Sequence, residues 1–405
     1  MNAVAAILAM VLGVQGAPPP QPSSAELIAE RQLAIREEGS SFAGPGWDRL
    51  LAEAEGAQFF MIGEQHATAD IARFGRSLHS ELARRGYTHS ALEIGPWSTE
   101  HAEALIRRGA GQLRDYIRAP GHAFTLPFLF FQEEIDLVEQ VVRASPDREH
   151  ALWGLDQEFV GSGAIVAETL RTLADNDAQR AAAAAFAASA SANPMLVGSL
   201  GAAELDPLTA AFAGNGEALE LISGLRLSSD IYAPFLGRPG SSGYEANLRR
   251  ENYMKTNFVR HFAEAERRLG APPRVFMKFG GNHAMRGMSG TNVPGFGNFL
   301  AEWGLPRGFS MVNIMVDCAG GEALNPQTNQ AGPCEPYFGP DTLIGSMART
   351  ERMTLIDLKA LRPLLRRMSD LDALSRQNIL AFDYYLVIED VRAATPVAAL
   401  PGATR

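Results

Sequence analysis

The segment FMIGEQHATAD (residues 60–70) breaks an apolar run, Phe59 to Ile62, with Glu64 and His66, two groups that a buried strand normally excludes. A neutral imidazole takes up a proton near pH 7, and a carboxylate beside it fixes its tautomer and stabilises the imidazolium that forms. The same pairing of apolar run and polar end recurs along the chain. Glu93 lies at the end of YTHSALEIG, Asp156 and Glu158 follow HALWGLD, and Asn282 and His283 close RVFMKFGGNH. Two histidines and two glutamates at the ends of such runs suit hydrolysis by an activated water. His66 is the expected general base, with Glu64 or Glu93 orienting it; His283 is a second acid or base, or a donor to a developing oxyanion. Asp156, Glu158 and Asn282 are the expected substrate contacts. Should a divalent metal bind, Glu64, His66, Glu93 and His283 are ligands of the right type. The plainer readings are a helix cap for Glu64 and an ion pair with Arg73 or Arg76 for Glu93. The sequence has no H-E-x-x-H zinc helix and no G-x-S-x-G elbow; Ser289 in GMSGT lacks that pattern.

The apolar runs carrying these groups read as strands. AQFFMIG (57–63) is followed by Ile71, Phe74, Leu78 and Leu82 at helical spacing, then a stop at Gly86 and a second strand through residues 87–95. Strand, helix and strand in that order make a βαβ unit and hence a parallel sheet. Further strands are expected at 150–156, 274–283, 309–317 and 382–391. Ligands of such sheets bind outside the carboxyl ends of the strands, where all these polar groups fall. The fold class is therefore α/β, a mainly parallel central sheet flanked by helices. Residues 24–40 read as an amphipathic helix. Residues 161–235, Ala-rich and with Leu, Ile and Phe at helical spacing, read as a helical insertion, the alternative being a poorly ordered linker. The expected division is a signal peptide (1–16), a Pro-rich segment and helix (17–40), two parts of the α/β core (41–160 and 236–405) and the insertion between them.

Composition narrows the partners. The chain has 405 residues, 46% of them hydrophobic, and a net charge of −10, with no basic run that could track a phosphate backbone, so nucleic acid is not an expected partner and a small molecule is. Lys255, Lys278 and Lys359 are the only lysines. AVAAILAMVLGV near the start has the length of a signal-peptide core and is too short to span a bilayer, which predicts a periplasmic or secreted protein without stable membrane insertion. In an exported chain Cys318 and Cys334 would then form a disulfide closing a polar loop.

GEQH with its following helix, SALE ending in Glu93, WGLDQEF with Asp156, RRENYMKTN with Arg250, Glu251, Met254 and Asn257, and GGNHAMRG with His283 together resemble the ordered signature of the erythromycin esterase-like superfamily. That superfamily also takes in haem-binding ChaN-like and Tiki/TraB-type proteins. The resemblance runs from about residue 57 to about residue 290. It implies a hydrolase acting on an ester, lactone or amide, with Arg250 stabilising developing negative charge. The ChaN-like branch implies a haem- or ligand-binding protein instead, and the Tiki-like branch a metal-dependent hydrolase. One departure is local. The esterase pattern places His three residues after Glu and follows it with Gly, whereas here the interval is two and Ala67 stands in the glycine position.

Overall fold

The computed structural model describes residues 22–399 apart from 147–149, 326–327, 348 and 350. The expected signal peptide lies outside the described residues. Ten strands form one sheet: β1 (Gln32–Glu38), β2 (Ser41–Ala43), β3 (Phe59–Glu64), β4 (Tyr87–Leu92), β5 (Leu152–Gly154), β6 (Arg274–Gly280), β7 (Met311–Asn325), β8 (Gln330–Pro333), β9 (Met353–Asp357) and β10 (Tyr384–Val391). Their order is β2-β1-β9-β10-β7-β3-β6-β4-β5, with β8 paired to β7. From β10 to β5 every neighbouring pair is parallel, and β9, β1, β2 and β8 join by antiparallel pairing. The chain is thus α/β with a mainly parallel sheet flanked by helices.

Side chains on a strand alternate between its faces, and β3 divides accordingly. Phe60 and Ile62 enter one apolar core with Leu78, Leu137 and Val138 from the helices Ala69–Ala83 and Gln132–Ala144. Phe59 and Met61 enter the other with Phe258 of the helix Gly243–Leu269 and Leu300 of the helix Phe296–Gly304. Burial on both faces explains why these strands read as continuous apolar runs rather than alternating ones. Residues 163–232 fold as five helices with an apolar cluster of their own, including Val166, Leu170, Phe186 and Phe212.

Two expectations change. Residues 24–40 are not one helix: a capped helix ends at Ala29, and Gln32–Glu38 then form β1, pairing antiparallel with β9. The apolar residues Leu33 and Ile35 serve a period of two that a helical reading of the same stretch absorbs. The polar stretch after Cys318 is not a loop, because β7 continues to Asn325 and turns into β8, with Glu322 opposite Pro333 and Asn325 opposite Gln330.

Candidate active site

Parallel register puts the chemistry at one edge. Glu64 is the last residue of β3 and lies level with Gly280 of β6; Leu92 of β4 lies level with Lys278, so Glu93 emerges one step beyond. Glu64 Oε1 is 2.9 Å from His66 Nδ1 and 2.5 Å from Lys278 Nζ, and the same ammonium reaches Glu134 Oε1 at 2.7 Å. Glu64 is therefore not a cap of the helix that follows. Its partners are an imidazole and a buried lysine. Lys278 shares the sheet face of Phe276, two residues earlier, and Glu134 comes from the first turn of the helix Gln132–Ala144, which covers that face.

A second group of charges lies beside the first. Arg250, on the helix Gly243–Leu269, donates through Nη2 to Glu93 Oε1 at 2.8 Å and to Asp156 Oδ2 at 2.5 Å, and through Nε to Asp156 Oδ1 at 3.0 Å. The expected alternative partners of Glu93 are elsewhere: Arg73 lies near Asp70 and Arg76 near Asp136. Of the adjacent arginines, Arg249 is the surface one, pairing with Asp230. Glu93 Oε2 also accepts the Gly280 N–H at 2.7 Å. His283, in the one-turn helix Gly281–Ala284, sits between two carboxylates, with Nδ1 2.6 Å from Glu251 Oε1 and Nε2 3.3 Å from Glu93 Oε1. A Cβ at position 280 would stand 2.7 Å from His66 Nε2, so any larger residue there would displace the imidazole.

Electrostatics assign the protons. Burial opposes charge on Glu64, but Lys278 and His66 outweigh it and hold the carboxyl below its ordinary value. Burial likewise disfavours an ionised Glu93, and His283, Arg250 and His66 override it by a wide margin. Burial disfavours the His283 imidazolium too, yet Glu93, helped by Glu251, raises its pKa to about 10 against the opposing charge of Arg250. His283 is then a fixed cation at neutral pH. For His66, burial is overcome by the hydrogen bond and charge of Glu64, with help from Glu93, and the pKa is raised. His66 differs from the others in access: its side chain is 39% exposed, against 5% for Glu64 and 7% for Glu93. Its Nε2 makes no hydrogen bond among the described residues and lies 3.9 Å from Glu93 Oε2. The ring of Phe128 lies over it, centroids 4.7 Å apart. Glu64, His66, Glu93, Phe128 and Lys278 border a cavity of about 20 Å³, room for roughly one water molecule.

Each of the three expected substrate contacts has a partner within the protein. Asp156 holds Arg250. Glu158, 2% exposed, accepts the Trp97 and Ser98 N–H groups and the Ser98 hydroxyl, so it caps the helix Pro96–Arg108 rather than facing a ligand; burial raises its carboxyl to about 7 against those hydrogen bonds. Asn282 Oδ1 accepts the Tyr337 hydroxyl at 3.0 Å. Sequence reasoning passed over Lys278, Glu134 and Phe128, and met Glu251 only through the resemblance. The signal for Lys278 was its place inside Val-Phe-Met-Lys-Phe, where a lone charge in a doubly buried strand demands a partner.

The donor set does not fit a metal. Lys278 already occupies the Glu64 oxygen, both His283 nitrogens face carboxylates, and no group of three or more metal-binding side chains converges among the described residues. Nor does the small cavity over His66 fit a porphyrin.

No protein-family model matches the chain, and no curated protein matches its sequence. Solved structures do match its fold. A Bacillus cereus protein aligns with a TM-score of 0.60 and 15% identity over 93% of this chain and 100% of its own. A succinoglycan biosynthesis protein aligns with a TM-score of 0.60 and 16% identity over 92% and 98%. A mutant of the erythromycin esterase EreC in its open conformation aligns with a TM-score of 0.57 and 14% identity over 87% and 95%. At these identities the likeness establishes a shared α/β fold, which spans nearly the whole length of each of the three proteins.

Proposed function

We propose that the protein is a hydrolase that directs a water molecule, activated by His66, at an ester, lactone or amide carbonyl. The observation that carries this reading is His66 itself, the accessible member of a buried charge array, with Nδ1 held by Glu64 and Nε2 unbonded beside a water-sized cavity. With Nδ1–H donated to Glu64, Nε2 is free to take a proton from water as the oxygen attacks. The Glu64 carboxylate stabilises the resulting imidazolium, which then returns the proton to the leaving alkoxide or amine. Arg250 Nη1, in no hydrogen bond among the described residues, is available to the developing oxyanion. His283, with both nitrogens on carboxylates, holds Glu93 in place. The fold shared with an erythromycin esterase supports the reaction class. The disulfide that joins Cys318 and Cys334 supports export, because a reducing cytosol opposes such bonds.

The test is hydrolysis of chromogenic esters, lactones and amides by wild type, His66→Ala and Glu64→Gln. Each substitution should lower kcat by about 10²-fold or more, the usual worth of positioned proton transfer. A folded His66→Ala protein with wild-type turnover would overturn the assignment. Because the base must be neutral and its pKa is raised, kcat/KM should climb with pH and level off only above the ordinary histidine value near 6.5. Glu64→Gln should move that inflection down.

A further inference from the structure

A second and roomier cavity lies away from His66. The helices Gly163–Leu173 and Asp177–Ala192, with the loop around residues 120–124, enclose a cleft of about 920 Å³, within the size range of small-molecule sites. No residue lines both this cleft and the His66 cavity. The two spaces are distinct, though one loop serves both: Phe128 covers His66, and four residues earlier Phe124 closes the cleft and stacks near Phe130. The loop is seated on glycine, because a Cβ at Gly161 would stand 1.9 Å from the Phe124 carbonyl oxygen.

Alanines of the two helices, among them Ala164, Ala167, Ala183 and Ala187, line much of the cleft. These helices do not lack large side chains elsewhere. Val166, Leu170 and Phe186, from the same two helices, fill the neighbouring core at 5% exposure or less. Small side chains border the cleft and large ones fill the core, so the hairpin is held together without the cleft being filled.

The charge at the cleft has a sign. Its lining carries two guanidiniums, Arg171 and Arg180, against one carboxylate, Glu168, which faces His101 Nε2 at 3.7 Å. Arg180 is paired with the fully exposed Asp177, whereas Arg171 makes no ion pair or hydrogen bond among the described residues. Arg171 is thus the one lining cation that no carboxylate pairs among the described residues. We propose that this cleft is a second ligand site, which binds a small amphipathic acid with its hydrocarbon body against the alanine walls and its anionic group on Arg171. Burial of an alkyl chain supplies affinity and the guanidinium supplies sign selectivity.

The probe is dodecanoate, titrated calorimetrically into the whole protein beside dodecanol and dodecyltrimethylammonium. Saturable 1:1 binding of dodecanoate is expected, weakened by Arg171→Gln at least about tenfold, the scale of one charge-assisted hydrogen bond, with dodecanol little affected. Ala187→Phe should abolish binding of both while leaving the melting temperature near wild type, and His66→Ala should bind dodecanoate as wild type does. The proposal is overturned if dodecanoate does not saturate, if the cationic amphiphile binds as well, or if Arg171→Gln and Ala187→Phe leave binding unchanged. Hydrolysis is not measured at any step of this titration, so a protein that binds dodecanoate yet cleaves none of the esters, lactones and amides would sink the hydrolase reading and leave this one standing.

Discussion

Lys278 decides whether the charges around His66 form a working array or an electrostatic fault. Its ammonium is 4% exposed and bridges two buried carboxylates, Glu64 and Glu134, and they raise its pKa to about 12 against the opposing effect of burial. Removing one partner of a buried pair strands the other, which typically costs about 3–5 kcal/mol. Lys278→Met should therefore destabilise the fold on that scale, measured by denaturant titration, and adding Glu134→Gln should recover part of the loss. A Lys278→Met protein as stable as wild type would show that water or the two acids themselves dissipate the charge. The acids and histidines at the strand ends were legible in the sequence because each follows an apolar run. Lys278 was not, since its meaning depends on a helix 144 residues away in the chain delivering Glu134 to the same sheet face. The direction of the Glu158 carboxylate was equally invisible: spacing places it at the right edge, and only the packing of the helix Pro96–Arg108 turns it inward.

Between β3 and its following helix the backbone itself is under tension. Ala67 has φ +66° and Phe128, over the imidazole, φ +61°, a left-handed region that L-residues with a side chain occupy at a cost. What holds Ala67 there is visible. Its carbonyl accepts the N–H groups of Leu324 and Ala394, both at 3.0 Å. The resemblance has glycine at this position, and the backbone explains why glycine suits it. Ala67→Gly should raise stability by up to about 1 kcal/mol, the left-handed penalty of about 1–2 kcal/mol less the greater freedom glycine gives the unfolded chain. A lower denaturation midpoint would mean that the strain is already relaxed. At this scale the doubly buried parallel strands were readable from composition and length, because burial on both faces leaves a continuous apolar run. The antiparallel margin was not. β2 and β8 are short and β1 is half-exposed, while the buried β9 pairs with β1, a partner distant in the chain.

Across the whole molecule the ends of β3, β4, β5 and β6 carry the charge array, and the hairpin formed by β7 and β8 reaches past them to steady it. Cys318 and Cys334 are joined, their Cα atoms 6.5 Å apart, closing a loop with a sequence separation of 16. On the chain-entropy account such a loop adds about 3 kcal/mol to stability. Reduction should lower the melting temperature accordingly, and a protein indifferent to reductant would show that the hairpin contributes nothing to global stability. Among the described residues no helix is long and apolar enough to cross a membrane. The hairpin also has a local office. Leu324, six residues beyond Cys318, both donates to Ala67 and packs with Phe130 and Phe131 under the loop that carries Phe128. The covalent bond is thus two short steps from His66, and how the protein is produced becomes a variable of the experiment. Material made in a reducing host can keep its sheet, which is held by pairing and packing, while the residues framing the imidazole lose their anchor, and it would pass a test for folding yet give a misleadingly low rate.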